Sequence, residues 1–114
     1  MTTSRARRPR PDAGAQDLVA RLELEIAQLR QAVSSHATVD QAIGVLISAA
    51  RIEPRVGFKV LRAVSQRTNI KVAAVAEAVI AWALGEDLPR QVAGELDRAV
   101  QQYAPAGHRL KRPC

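Results

Sequence analysis

An all-helical fold is the class this sequence predicts, and three observations predict it. Residues that suit helices dominate the composition. No stretch alternates apolar and polar residues with a clean period of two, as a half-buried strand would. Apolar residues recur instead at spacings of three and four. A chain of 114 residues suits one domain with tails and a modest core. Its only aromatics are Phe58, Trp82 and Tyr103, so that core must be built from Ala, Val, Leu and Ile.

The elements follow in order. Residues 1–14 combine Arg5, Arg7, Arg8 and Arg10 with Pro9, Pro11 and Gly14, and are expected to be a disordered basic tail. No hydrophobic segment follows it, so a secretory signal is not expected. In residues 15–36, Val19, Leu22, Ile26, Leu29, Val33 and His36 lie at spacings of 3, 4, 3, 4 and 3, an a/d heptad seam. Arg21, Glu23, Glu25, Gln28, Arg30 and Gln31 flank it as a solvated exterior. Such a short coil is marginal alone. Either the helix packs on its own domain or Val19, Leu22, Ile26, Leu29 and Val33 join two copies, in parallel or antiparallel. The narrowness of the seam favours the dimer.

The helical stripe continues through Val39, Ala42, Ile43, Leu46, Ile47 and Ala50, with Ser34 and Ser35 as a bend or a fresh cap. Glu53–Pro54 ends it and opens a second helix to about Gln66, with proline in the first turn. On that helix Arg55, Lys59, Arg62 and Gln66 share one narrow stripe, opposite Val56, Phe58, Val60, Leu61 and Val64. Asn69 is the expected N-cap of a third helix, whose apolar face is Val72, Val75, Ala76, Val79, Ile80 and Ala83. Gly85 ends it. A fourth, amphipathic helix follows at about Pro89–Gln102, within residues 86–103, and residues 104–114 read as a second disordered basic tail.

Charge narrows the function. Without the seven basic residues of the two ends and Asp12, the chain holds ten basic and ten acidic residues. The net charge of +6 is therefore a property of the tails, except that Arg51 to Lys71 holds six cations against Glu53 alone. A solvated helix face ordinarily mixes signs. Here the stripe is nearly uncompensated, and it continues round a corner through Arg67, Asn69 and Lys71. Arg51, Arg55, Lys59, Arg62, Gln66, Arg67, Asn69 and Lys71 thus offer cations for phosphates and amides for base edges. The third helix is apolar and a poor reader of a DNA major groove. A compact folded RNA suits the corner better.

Catalytic and metal-binding residues are expected to be absent. His36 and His108 have no partners at the spacing of a metal site or triad, and glycine forms no phosphate-cradling loop. No cofactor is implied. Cys114 is the only cysteine, which excludes an internal disulfide and agrees with a cytoplasmic location. No apolar run is long enough for a membrane span.

Three segments, "ATVDQAIGVLI" (37–47), "VGFKVLRAVSQRTNIKV" (56–72) and "VAEAVI" (75–80), resemble the ANTAR domain. That domain is the RNA-binding output module of transcription antitermination regulators in bacteria. The resemblance implies a three-helix RNA-binding domain over residues 37–85 at the end of a dimerising coil. It implies a homodimer that holds paired hairpins of a nascent leader transcript and so prevents a terminator from forming. By matching positions it assigns Gln41, Arg62, Gln66, Asn69 and Lys71 to RNA. Ala42, Gly44, Leu46, Phe58, Leu61, Val75 and Ala76 match packing positions, and Trp82 is expected to pack helix four at the rim. Three departures stand out. Ile43 replaces the family's usual Lys, removing a cation. Gly57 replaces the usual Ala. A stand-alone form is expected, without the receiver domain that many relatives carry. A module that pairs with another regulatory protein and has lost RNA recognition is one alternative reading, and a small DNA-binding regulator is another.

Overall fold

The computed structural model describes residues 11–104 and 109–113, and the described residues form four helices. They are α1 (Pro11–Ala50), α2 (Pro54–Thr68), α3 (Val72–Ala83) and α4 (Arg90–Tyr103). The chain divides into two units, residues 1–34 and 35–114.

In the first unit α1 begins at Pro11, inside the segment expected to be a tail. Residues 1–10 lie outside the described residues. Every seam residue faces outward: Val19, Leu22, Ile26, Leu29 and Val33 are each between 46% and 69% exposed, and Leu18 and Leu24 are exposed beside them. Ser34 and Ser35 neither end nor restart the helix, whose hydrogen-bonded run continues to Ala50.

The second unit has one aliphatic core. Val39, Ala42, Leu46 and Ala50 of α1 meet Val60, Leu61 and Val64 of α2, Val75, Ala76 and Val79 of α3, and Val92, Leu96, Ala99 and Val100 of α4. Leu46, Leu61 and Leu96 are fully buried, each contributing roughly 1.5–3 kcal/mol of transfer free energy. No aromatic ring is among these buried residues. The apolar face of α4 is thus used within the domain, where it lies chiefly along α2.

Local chemistry sets the helix ends. Arg51 closes α1 at φ 54°, its N–H donating to Ile47 O at 2.9 Å. Pro54 occupies the first turn of α2 after an extended Glu53. Asn69 corrects an expectation: it is the C-cap of α2, left-handed at φ 61°, and Lys71 stands at the N-cap of α3. Asparagine tolerates that conformation better than most residues. The corner is stitched by Thr68 Oγ1 donating to Val64 O at 2.7 Å and Ser65 Oγ donating to Ile70 O at 2.6 Å. Gly85, at φ 108°, ends α3 in a Schellman motif, with Glu86 N–H donating to Ala81 O and Gly85 N–H to Trp82 O.

Residues 109–113 are tied to the bundle, contrary to the expectation for the C-terminal tail. Leu110 packs against the core, and Lys111 N–H donates to Ala49 O at 2.8 Å. Arg112 donates to Trp82 O at 2.9 Å and Glu86 O at 3.1 Å, and its guanidinium lies 5.6 Å from the Trp82 ring centre. The segment thus adds a backbone donor at the end of α1 and a side-chain donor beyond the end of α3. Trp82 therefore carries an arginine at the rim.

Candidate nucleic-acid interface

The middle helix positions the candidate surface. Helical spacing sends Val60, Leu61 and Val64 inward, each with no exposed area, and so forces Arg55, Lys59, Arg62 and Gln66 to solvent on the opposite face. Because the buried side is close-packed, the cations project from a fixed platform. Lys71 and Asn69 extend that surface round the α2–α3 corner, both exposed, and Arg51 is exposed where α1 gives way to α2.

Acids compensate very little of this charge. Among the described residues the ion pairs are Arg67–Glu95, at 3.6 Å, and Arg98–Glu95, at 3.2 Å. Arg51, Arg55, Lys59, Arg62 and Lys71 take part in neither. Arg67 is different from its neighbours: its Nη2 also donates to Gln102 Oε1 at 2.6 Å. Two groups on α4 hold it, so it braces α2 against α4, and Glu95 offsets part of its charge.

Gln41 is exposed on α1. Of the residues matched to packing positions, Ala42, Leu46, Leu61, Val75 and Ala76 are buried. Gly44 is exposed, with open space around it, and Phe58 is 44% exposed at the edge of the cationic face. Gly57, Val60, Leu61 and Val64 already fill the buried sector of α2, leaving the ring no place inside.

Two departures from the family pattern prove to be neighbours. A methyl group added at Gly57 would lie 3.1 Å from Cγ2 of Ile43 and 3.7 Å from its Cβ and Cγ1. The bulk of isoleucine on α1 thus occupies the space that an alanine on α2 would need. Ile43 acts here as a packing residue, half-buried against the core, and glycine is what admits it.

One residue of this surface was missed from the sequence. Tyr103, at the end of α4, lines a hollow of about 300 Å³ with Lys59, Arg62, Ala63 and Gln66. It also lines a second, of about 420 Å³, with Arg51, Ile52, Glu53, Val56 and Ala104. Nothing in the sequence signals this, because the register of α4 along α2 is a tertiary property. Among the described residues no three His, Cys, Asp or Glu side chains gather as a metal site, and no helix is long and apolar enough to cross a membrane.

Residues 27–80 match the family model described as ANTAR domain, a segment that begins ten residues before Ala37 and ends five before Gly85. No curated protein and no solved structure matches the chain at a significant level. The family is one of RNA-binding antitermination regulators, and the matched segment contains all of α2 and most of α3, with all the candidate cations. Residues 27–80 of the chain are thus similar to the ANTAR domain family.

Proposed function

We propose that the protein is a cytoplasmic transcription antitermination regulator that binds paired hairpins of a nascent leader RNA as a homodimer. By holding that RNA it prevents an overlapping terminator from forming. The observation that carries the reading is the row Arg55, Lys59, Arg62 with Lys71 and Arg51, exposed and free of ion pairs within an ANTAR segment. Gln41, Gln66 and Asn69 add amides for base edges. Arg67 serves the surface indirectly, by holding α4 to α2.

The seam supports the dimer. Five large apolar residues in a row are exposed in one chain, and a second copy would cover them. Val19, Ile26 and Val33 are β-branched at the a positions, with Leu22 and Leu29 at d, the combination that favours two parallel strands. Two joined domains would engage two hairpins, and linkage raises avidity without any new contact.

The chemistry of Ile43 removes the main support for a module that has lost RNA recognition. Its side chain is accounted for by packing against Gly57, so the missing cation need not mark a lost function. A DNA reading gains nothing from α3, whose Val75, Ala76 and Val79 are consumed by the core.

The test is binding of the purified protein to tandem hairpin RNA over a salt series, with duplex DNA of random sequence as competitor. Phosphate contacts by five cations on each of the two subunits predict a log–log slope of roughly 7 to 9, at about 0.7–0.9 per contact. Equal competition by the duplex would defeat the proposal.

A further inference from the structure

We propose that Tyr103 is the platform on which an unpaired base of the bound RNA stacks, so that α4, which lies outside the matched family segment, completes the RNA surface. This rests on the RNA-binding reading above and adds to it a base-recognition subsite.

Four observations meet at this ring. Tyr103 is 38% exposed although it ends a helix whose Val92, Leu96, Ala99 and Val100 are buried. It forms the shared wall of the two hollows beside the cationic row, with Lys59 and Arg62 on one side and Arg51 on the other. Each hollow is many times the ~30 Å³ that a water occupies in the liquid, so a planar group can enter beside the ring. Each also carries a group that can address a base edge: Gln66, an amide donor and acceptor, and Glu53, a carboxylate acceptor. Phosphates held by the cations would bring the sugar–base side of the same strand to the phenol ring.

The ring is also held in place. Ala104 N–H donates to Val100 O at 2.8 Å, closing the last turn of α4. One residue before the tyrosine, Gln102 accepts from Arg67, so the brace between α2 and α4 fixes the ring's height along the cationic row. Among the described residues the Tyr103 hydroxyl has no hydrogen-bond partner. Trp82, by contrast, already carries Arg112. An aromatic face framed by cations is the arrangement that single-stranded bases use.

The experiment uses the full chain and a tandem stem-loop RNA selected on it from a randomised-loop library, with 2-aminopurine placed at each loop position in turn. In the wild type one loop position should be quenched on binding. Tyr103→Leu should lose that quenching and bind roughly 5- to 150-fold more weakly per hairpin engaged, the range for one stacked base, with an unchanged salt slope. Tyr103→Phe should keep both quenching and affinity. Circular dichroism and melting of the Leu variant separate a binding loss from a folding loss. Wild-type affinity and quenching in Tyr103→Leu would overturn the proposal while leaving the RNA reading intact, provided Arg62→Glu still abolishes binding. Failure of Tyr103→Phe alongside the Leu variant would equally overturn it, since the hydroxyl and not the ring would then matter. A wild-type protein that prefers duplex DNA would overturn both.

Discussion

Replacing Gly57 by alanine separates two effects of opposite sign. In an open helix interior the change stabilises by about 1 kcal/mol, because glycine has more backbone freedom to lose on folding. Here the new methyl would meet Cγ2 of Ile43 at 3.1 Å. Carbon pairs are most favourable at about 3.5–4.0 Å, so α1 and α2 would have to separate by a few tenths of an ångström or the isoleucine would have to rotate. A β-branched residue in a helix holds one χ1 rotamer in about 90% of cases, so rotation is a poor escape. Overpacking of a core typically costs about 1–3 kcal/mol. The net expectation is a Gly57→Ala variant between neutral and about 2 kcal/mol less stable. In an Ile43→Ala background the obstruction is gone, and the same substitution should stabilise by about 1 kcal/mol. The coupling between the sites is therefore about 1–3 kcal/mol, within the range for residues in contact. Urea unfolding of the four proteins at one fixed concentration measures it, since the proposed dimer would make apparent stability depend on concentration. Alanine at 57 stabilising by the same amount in both backgrounds would refute the packing account of Ile43. The glycine and the isoleucine would then be unrelated departures, and the loss of the usual lysine would again need a functional reason.

Other outcomes follow from the same geometry. Lys71→Ala should weaken binding to a single hairpin RNA and lower its salt slope by about 0.7–0.9, the contribution of one phosphate contact, in a filter-binding or anisotropy series. Arg67→Ala should leave that slope unchanged and cost less than about 1 kcal/mol in unfolding, because its ion pair with Glu95 is partly exposed. Ile26→Asp, which puts a charge in the middle of the seam, should give a monomer in sedimentation equilibrium that still binds single hairpins and loses the avidity for paired ones. Arg51→Gly should raise stability by roughly 1 kcal/mol by relieving the left-handed backbone at φ 54°, while weakening RNA binding.

What could be read without the fold was whatever a single helix imposes on itself. The seam from Val19 to Val33, the cationic row Arg55–Lys59–Arg62 and the glycine that ends α3 are all consequences of 3.6 residues per turn and local backbone chemistry. The aliphatic make-up of the core followed from there being only three aromatics. Misreadings arose where one element meets another. Asn69 was expected to cap the following helix, yet the turn at the corner needs a left-handed residue and so it ends the preceding one. Phe58 was read as core, but smaller residues of α2 already fill that side. Residues 109–113 fall in an expected disordered tail, yet carbonyls of Ala49, Trp82 and Glu86 accept hydrogen bonds from Lys111 and Arg112.

Sequence by itself determined which residues each helix presents and which it hides, because that periodicity is written within a dozen consecutive residues. Only the tertiary structure decided that Ile43 and Gly57 share one space, that Glu95 and Gln102 tie Arg67 to α4, and that Tyr103 stands beside the cationic row. The physical reason is common to all three. How far one helix slides along another is set by the interlocking of apolar side chains from distant parts of the chain, and no local pattern records the result.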